Sequence, residues 1–420
     1  MSKPVTSIWG TLPGAQPSSA QEPTWDTTWP LRGGTAWVFY SEPGQTHVKR
    51  PVILADGFSM GASKPEELYE GLENGQFPFI TKLRNNGFDV VLLGFDERSA
   101  SILDNAEVAI QCIRTAIAER EGEAKLTVGG FSMGGLVTRY ALAKMERQRE
   151  QHETGTYLSY DTPHCGAWLP IGVQAFAHFV KEHWGSTPII GDALSLYSNL
   201  VNSPAARQLL RWHVETGAAT TLDVAEGQDQ ARTDFLDALD RMGNWPQIPR
   251  LLGVANGTGT GAGNNIPAGQ PAMTSSGPQL NGTQLNTQTS GKQTVAQLQK
   301  RDGTPVTVTT NNFPKIDGAP GGLFPEAPAL EGSPANFGMA AMLAKIVDKQ
   351  KADLTYNAST FVPTISAVAT GDIANNDMLY GKIEADYSDL HDFKCASNNE
   401  GHTVMTEELG QWILDKLKEE

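Results

Sequence analysis

Residues 125–139, KLTVGGFSMGGLVTR, limit what the chain can fold into more than any other stretch. Leu126 and Val128 read as the end of a buried strand. Gly130-Phe131-Ser132-Met133-Gly134 then matches G-x-S-x-G, and Leu136, Val137, Tyr140, Ala141 and Met145 follow at helical spacing. Strand, sharp turn and helix in direct succession force the central residue into a strained backbone conformation. The residues two before and two after it must therefore be small. Gly130 and Gly134 meet that need, and Gly135 lets strand and helix pack closely. Ser132 then stands on the bend, over a sheet edge and near the positive end of a helix dipole. A serine that merely caps a helix would need only the turn. With both flanks in place, Ser132 reads as a nucleophile.

The surrounding pattern predicts a sheet for this turn to sit on. Strands are expected at 36–40, 48–55, 88–93, 157–160, 250–255 and 360–369, and helices at 65–72, 105–118, 337–352 and 407–417. Alternation of strand and helix implies a mostly parallel sheet covered on both faces. The domain organisation expected is an arm at 1–34, a first core part at 35–167, a helical cap at 168–245 and a second core part at 246–420. The arm is rich in Pro, Ser, Thr and Trp, with Trp9, Trp25 and Trp29 needing apolar cover. The cap is amphipathic, with Val173, Phe176, Ala177 and Val180 on one face. Ordinary surface helices would give the same pattern. Residues 256–336 are rich in Gly, Thr, Asn, Gln and Pro and read as an inserted β-meander without a large core of its own.

A second G-x-S-x-G occupies 57–61. A loop follows it, since Pro65 suits the first position of the next helix. It also precedes the 88–93 strand. That position fits an oxyanion loop with the Phe58 N–H turned inward, and the second donor would be Met133 N–H. Ser59 is the weaker nucleophile candidate.

Charge and cysteine content narrow the partners. The 420 residues carry a net charge of −15, which argues against nucleic acid or an anionic membrane as partner. No run reaches the ~18 apolar residues of a membrane span. The N-terminal residues lack the apolar run of a Sec-type signal, so a cytoplasmic location is the default, with secretion by another route left open. Cys112, Cys165 and Cys395 have no metal-ligand spacing. The Asn/Gly/Asp-rich insertion has no spaced Ca²⁺ ligand set. No metal site and no cofactor are expected.

A serine hydroxyl needs a base, and the base needs an orienting group. His402 lies in the loop NEGHT just before the last helix and is the best base. His164, after Pro163, is the runner-up. His47, His152, His178, His183, His213 and His391 read as solvated or capping. Asp161, at the end of the strand after the elbow, is the favoured acid. Asp372, Asp377 and Asp392 remain alternatives, nearer His402 in sequence.

GGFSMGGLVTRYAL, YDTPHCGA, ADGFSMG and NEGHTVMTEELGQWI together resemble the α/β-hydrolase superfamily, and within it bacterial lipase- and esterase-like serine hydrolases. The resemblance implies a Ser–acid–His triad, for which Ser132, His402 and, as the favoured acid, Asp161 are the candidates, and cofactor-free hydrolysis of a small carboxylic ester; the apolar cap points to an apolar group on that ester. Two positions depart from it. The oxyanion loop usually begins His-Gly, and here it begins Asp56-Gly57. Many bacterial lipases carry D-G-x-V-P-x-x-S with a catalytic Asp, and here Ser359 stands in that place. The same triad would also serve an acyltransferase, thioesterase or cyclising enzyme. A binding protein on a catalytically dead hydrolase scaffold is the alternative from another class. Oligomeric state is not legible.

Overall fold

The computed structural model describes residues 24–188, 190–216, 222–224, 229–324, 336–349 and 352–419. Most of the expected arm, 1–23 with Trp9, and residues 325–335 of the insertion lie outside the described residues.

The central sheet has eight strands: β1 Thr27–Leu31, β2 Gly34–Phe39, β3 Pro51–Ala55, β4 Asp89–Phe95, β5 Leu126–Phe131, β6 Thr154–Tyr160, β7 Arg250–Thr258 and β8 Asp392–Ala396. Their spatial order is β1-β2-β4-β3-β5-β6-β7-β8. β1 and β2 run antiparallel at one edge, and from β4 onward the pairing is parallel. β3, β4 and β5 are buried at every residue, as unbroken apolar strands with both faces covered must be.

Alternate residues of those strands feed two cores. Ile53, Ala55, Val91, Leu93 and Val128 face α3 (Ile102–Ala118) and α4 (Met133–Arg147). Val52, Leu54, Val90 and Leu92 face α1 (Pro65–Glu73), α2 (Phe79–Arg84) and the last helix, Glu407–Lys418. The result is three layers built on the two-residue period of the strands.

Between β6 and β7 the chain forms α5 (Ile171–Trp184), α6 (Gly191–Val201), α7 (Pro204–Leu209) and α8 (Gln230–Arg241). α7 lies over the loop that follows β4: Ala205 N–H donates to Ser99 O at 3.1 Å, and Ile102 N–H to Gln208 Oε1 at 2.7 Å. After β7, four antiparallel strands, Pro271–Ser275, Thr283–Asn286, Gln293–Gln299 and Pro305–Thr310, form the insertion. Ala352–Leu354 and Leu222–Val224 extend it at its two edges. Its inward residues Met273, Leu285, Val295, Leu298 and Val308 join the same apolar cluster as the cap.

Three expectations change. Residues 360–369 are not one strand: Thr360–Pro363 pairs with Gly321–Leu323, and Thr364–Ala367 is helical. Pro363 has no N–H to continue a ladder and starts the helix instead. β1 arises inside what reads as an arm, and β8 from DFKCA, which is only partly buried and lacks an apolar run. No described helix is long and apolar enough to cross a membrane.

Candidate active site

The elbow has the geometry its sequence demands. Ser132 adopts φ 52° and ψ −121° between β5 and α4. A side chain on Gly130 would put its Cβ 2.4 Å from the Gly134 carbonyl carbon, and one on Gly134 would lie 2.2 Å from Ala55 O. The elbow is thus wedged against the end of β3, and only glycine fits on either side of the serine. Met133 is the first residue of α4, where a helix leaves its N–H groups without intrahelical acceptors. The loop 56–61 leaves the neighbouring strand β3, beside Gly130.

Asp161 is placed by the next strand. Ser132 N–H donates to Tyr160 O at 2.9 Å, so Asp161 begins where β6 passes the elbow. It sits at φ 47°, a conformation tolerated by Asp, with its own N–H donated to Val254 O of β7 at 2.8 Å. Its carboxylate is fully buried. Oδ1 accepts the Asn256 N–H at 3.0 Å, and Oδ2 lies 2.6 Å from His402 Nδ1.

His402 comes from the loop before the last helix, and that loop is tied down on three sides. His402 N–H donates to Leu323 O at 2.7 Å, and Glu400 N–H to Asn256 O at 2.8 Å. Tyr160 Oη and Asn256 Nδ2 both donate to Val404 O, at 2.7 and 2.9 Å. Phe361 packs edge-on against the imidazole with centroids 4.9 Å apart. Nδ1 faces a carboxylate and so carries the proton, leaving Nε2 as the basic nitrogen. Nε2 is buried and has no hydrogen-bond partner. A Ser132 Oγ–His402 Nε2 bond is thus not formed here, and such bonds often tighten only when substrate binds.

The other candidates are engaged elsewhere. Asp372 pairs with Arg211 at 3.4 Å. Asp377 is exposed in a short helix capped by Asn375. Asp392 pairs with Arg250 and Lys416, at the amino end of β8. His164 Nδ1 accepts from Arg139 at 3.2 Å and its ring packs on Trp245, with burial holding its pKa well below the usual histidine range. His152 and His178 are buried and hydrogen-bonded rather than solvated. Ser59 is buried in the 56–61 loop, with no helix behind it.

Two features carry no obvious sequence signal. Asn256, which orients Asp161 and the His402 loop, stands in an unremarkable strand end. A narrow crevice of about 10 Å³, lined wholly by apolar side chains, brings Phe58 and Phe361 together with Leu169, Leu200, Ala206 and Leu209. A larger hollow of about 290 Å³, lined by Arg50, Phe88 and Lys125, opens at the amino ends of β3 and β5, on the opposite rim from Ser132.

The sequence model of one family, described as "Putative serine esterase (DUF676)", matches residues 105–189, a stretch that begins within α3 and includes the elbow and Asp161. The match agrees with the strand order and with the strained Ser132 between β5 and α4. The chain has the α/β-hydrolase fold. Among solved structures, the chain is similar to the mature lipase BlEst2 of Bacillus licheniformis, at 14% identity and a TM-score of 0.31, over 52% of this chain and 71% of that one. It is also similar to EstE1, a thermophilic carboxylesterase from a metagenomic library, at 12% identity and a TM-score of 0.31, over 56% and 70%. A third is XC6422 of Xanthomonas campestris, an α/β serine hydrolase without lid, at 19% identity and a TM-score of 0.24, over 34% and 63%. No curated protein sequence matches the chain.

Proposed function

We propose that this α/β-hydrolase cleaves carboxylic esters bearing an apolar group, through an acyl intermediate on Ser132. The observation that carries the reading is the buried Asp161–His402 pair, at 2.6 Å, beside a strained serine one strand away. Ser132 Oγ attacks the ester carbonyl and passes its proton to His402 Nε2. Asp161 keeps the ring oriented through Nδ1–H and stabilises the imidazolium. The N–H groups of Met133 and Phe58 hold the oxyanion, each worth ~3 kcal/mol in the transition state. Collapse breaks the C–O bond, and Nε2–H protonates the departing alcohol. Water, activated by the same imidazole, then releases the acid. The apolar side chains around Phe58 and Phe361 support an apolar group on the substrate, and the crevice of about 10 Å³ between them must widen to admit it.

The test is a fluorophosphonate probe together with p-nitrophenyl esters of graded chain length. Wild-type protein should be labelled and should hydrolyse them, and Ser132→Ala should do neither. Labelling that survives Ser132→Ala would reject this nucleophile, and an unlabelled, inactive wild type would reject the hydrolase reading. Product analysis with added alcohol or amine separates hydrolysis from acyl transfer.

A further inference from the structure

The oxyanion loop of this chain begins Asp56-Gly57, and the aspartate has an unusual place. Its carboxylate is 2% exposed, and burial pushes its pKa up, with Arg98 and Ser63 opposing that shift. Arg98, from the loop after β4, is 1% exposed, and its Nη1 lies 3.5 Å from Asp56 Oδ2. A buried ion pair is a poor source of stability, because desolvating both charges offsets their attraction. The hydrogen bonds around this pair show what it holds.

Asp56 Oδ1 accepts the Gly57 N–H at 2.7 Å, and Oδ2 accepts Ser63 Oγ at 2.7 Å. Arg98 Nη2 donates to Met60 O at 3.1 Å, Nε to Gly61 O at 3.4 Å, and its backbone N–H to Gly61 O at 3.0 Å. Glu97 Oε1 accepts the Gly61 N–H at 2.9 Å. Ser63 Oγ in turn accepts the Phe95 N–H at 2.9 Å. The chain is therefore gripped at Gly57 and again at Met60 and Gly61. Only Phe58 and Ser59 lie between the grips.

We propose that the buried Asp56–Arg98 pair is the positioning device of the oxyanion loop, holding the Phe58 N–H toward the acyl oxygen of a substrate bound at Ser132. The inference rests on the reading of Ser132 as the nucleophile. A planar guanidinium suits the task because one side chain spans a carboxylate and two carbonyls at fixed angles, which an ammonium cannot do. An oxyanion donor must be aligned before the reaction, since its value lies in needing no reorganisation. Asp56 and Arg98 touch no substrate. They act through the backbone of the loop.

The experiment compares wild type, Arg98→Lys, Asp56→Asn, Arg98→Met and the double variant Asp56→Asn/Arg98→Met on p-nitrophenyl butyrate. Each is titrated with fluorophosphonate so that kcat is counted per labelled site, and each is melted. Arg98→Met should lower kcat by roughly 30- to 100-fold, approaching the loss of one donor, with KM changed less than about threefold. Arg98→Lys and Asp56→Asn should fall between. The double variant removes both charges, so it should regain melting temperature relative to the single ones while kcat stays low. Should Arg98→Met fail to fold, the double variant and Arg98→Lys still decide. Wild-type kcat per labelled site in Arg98→Lys and the double variant would overturn the proposal and leave the pair merely structural. A wild type that neither labels nor turns over would instead sink the hydrolase reading, and this inference with it.

Discussion

Ser132 and Asp161 both hold positive φ, 52° and 47°. Such backbone is costly for a residue with a side chain and persists only where its surroundings over-determine it. Around Ser132 the constraint is the pair of flanking glycines, and around Asp161 it is the bonds to Val254 and Asn256. A third glycine matters as much. A Cβ on Gly322 would lie 2.0 Å from Asp161 Oδ2, the oxygen that holds His402. Gly322→Ala should therefore shift the carboxylate and lower kcat by roughly 10²-fold, with melting temperature affected much less. Steady-state kinetics beside thermal melts check this, and unchanged kcat would show that the carboxylate does not orient the base. Asp161→Asn should cost more, roughly 10⁴-fold in kcat, by leaving His402 in the wrong tautomer.

Among the elements, α5 and α6 are tied together by a histidine in its neutral form. His178 of α5 donates from Nε2 to Val214 O at 2.8 Å, and Nδ1 accepts Ser198 Oγ of α6 at 2.7 Å. Burial lowers its pKa to about 4, with His213 and Lys181 pushing the same way. The unfolded chain takes up this proton near pH 6.5, while the folded one resists until about 4. Stability is thus whole above pH 6.5 and declines as pH falls toward 4, by up to roughly 3 kcal/mol for this group. Urea unfolding at pH 7.5, 6 and 5 should show the decline, and His178→Gln should flatten it. An equally steep decline in the variant would assign the effect to other groups, such as His164, whose pKa is lowered in the same direction.

Across the whole molecule, one buried carboxylate joins the parts. Asp317 Oδ1 accepts Trp168 Nε1–H at 2.7 Å, at the entry to the cap, and Oδ2 accepts the Gln288 N–H of the insertion at 2.6 Å. Its backbone carbonyl accepts Asn264 Nδ2 beyond β7 at 2.8 Å. Asp317→Ala leaves two buried donors unpaired and should cost roughly 2–5 kcal/mol. Because sheet, cap and insertion share one apolar cluster, unfolding should remain a single transition, with circular dichroism and tryptophan fluorescence coincident. Separate transitions would mean that the insertion or the cap folds independently.

What the sequence determined alone is whatever its own neighbours dictate. The elbow is readable because strand period, glycine spacing and helix period meet within fifteen residues, each a local consequence of backbone sterics. The α/β layering is readable for the same reason, from unbroken apolar runs alternating with helical stripes. β8 escapes such a reading, because an edge strand half open to water needs no apolar run. The choice among carboxylates escapes it too. Asp372, Asp377 and Asp392 lie closer to His402 along the chain, yet Asp161, 241 residues away, is the one bonded to it. That follows from strand order, which sets the ends of β5, β6 and β7 side by side and folds the 399–403 loop onto them. The same holds for Asp56 and Arg98, 42 residues apart. Local conformation is written in short-range sterics and periodicity, while pairing between distant charges is decided only when the sheet closes around them.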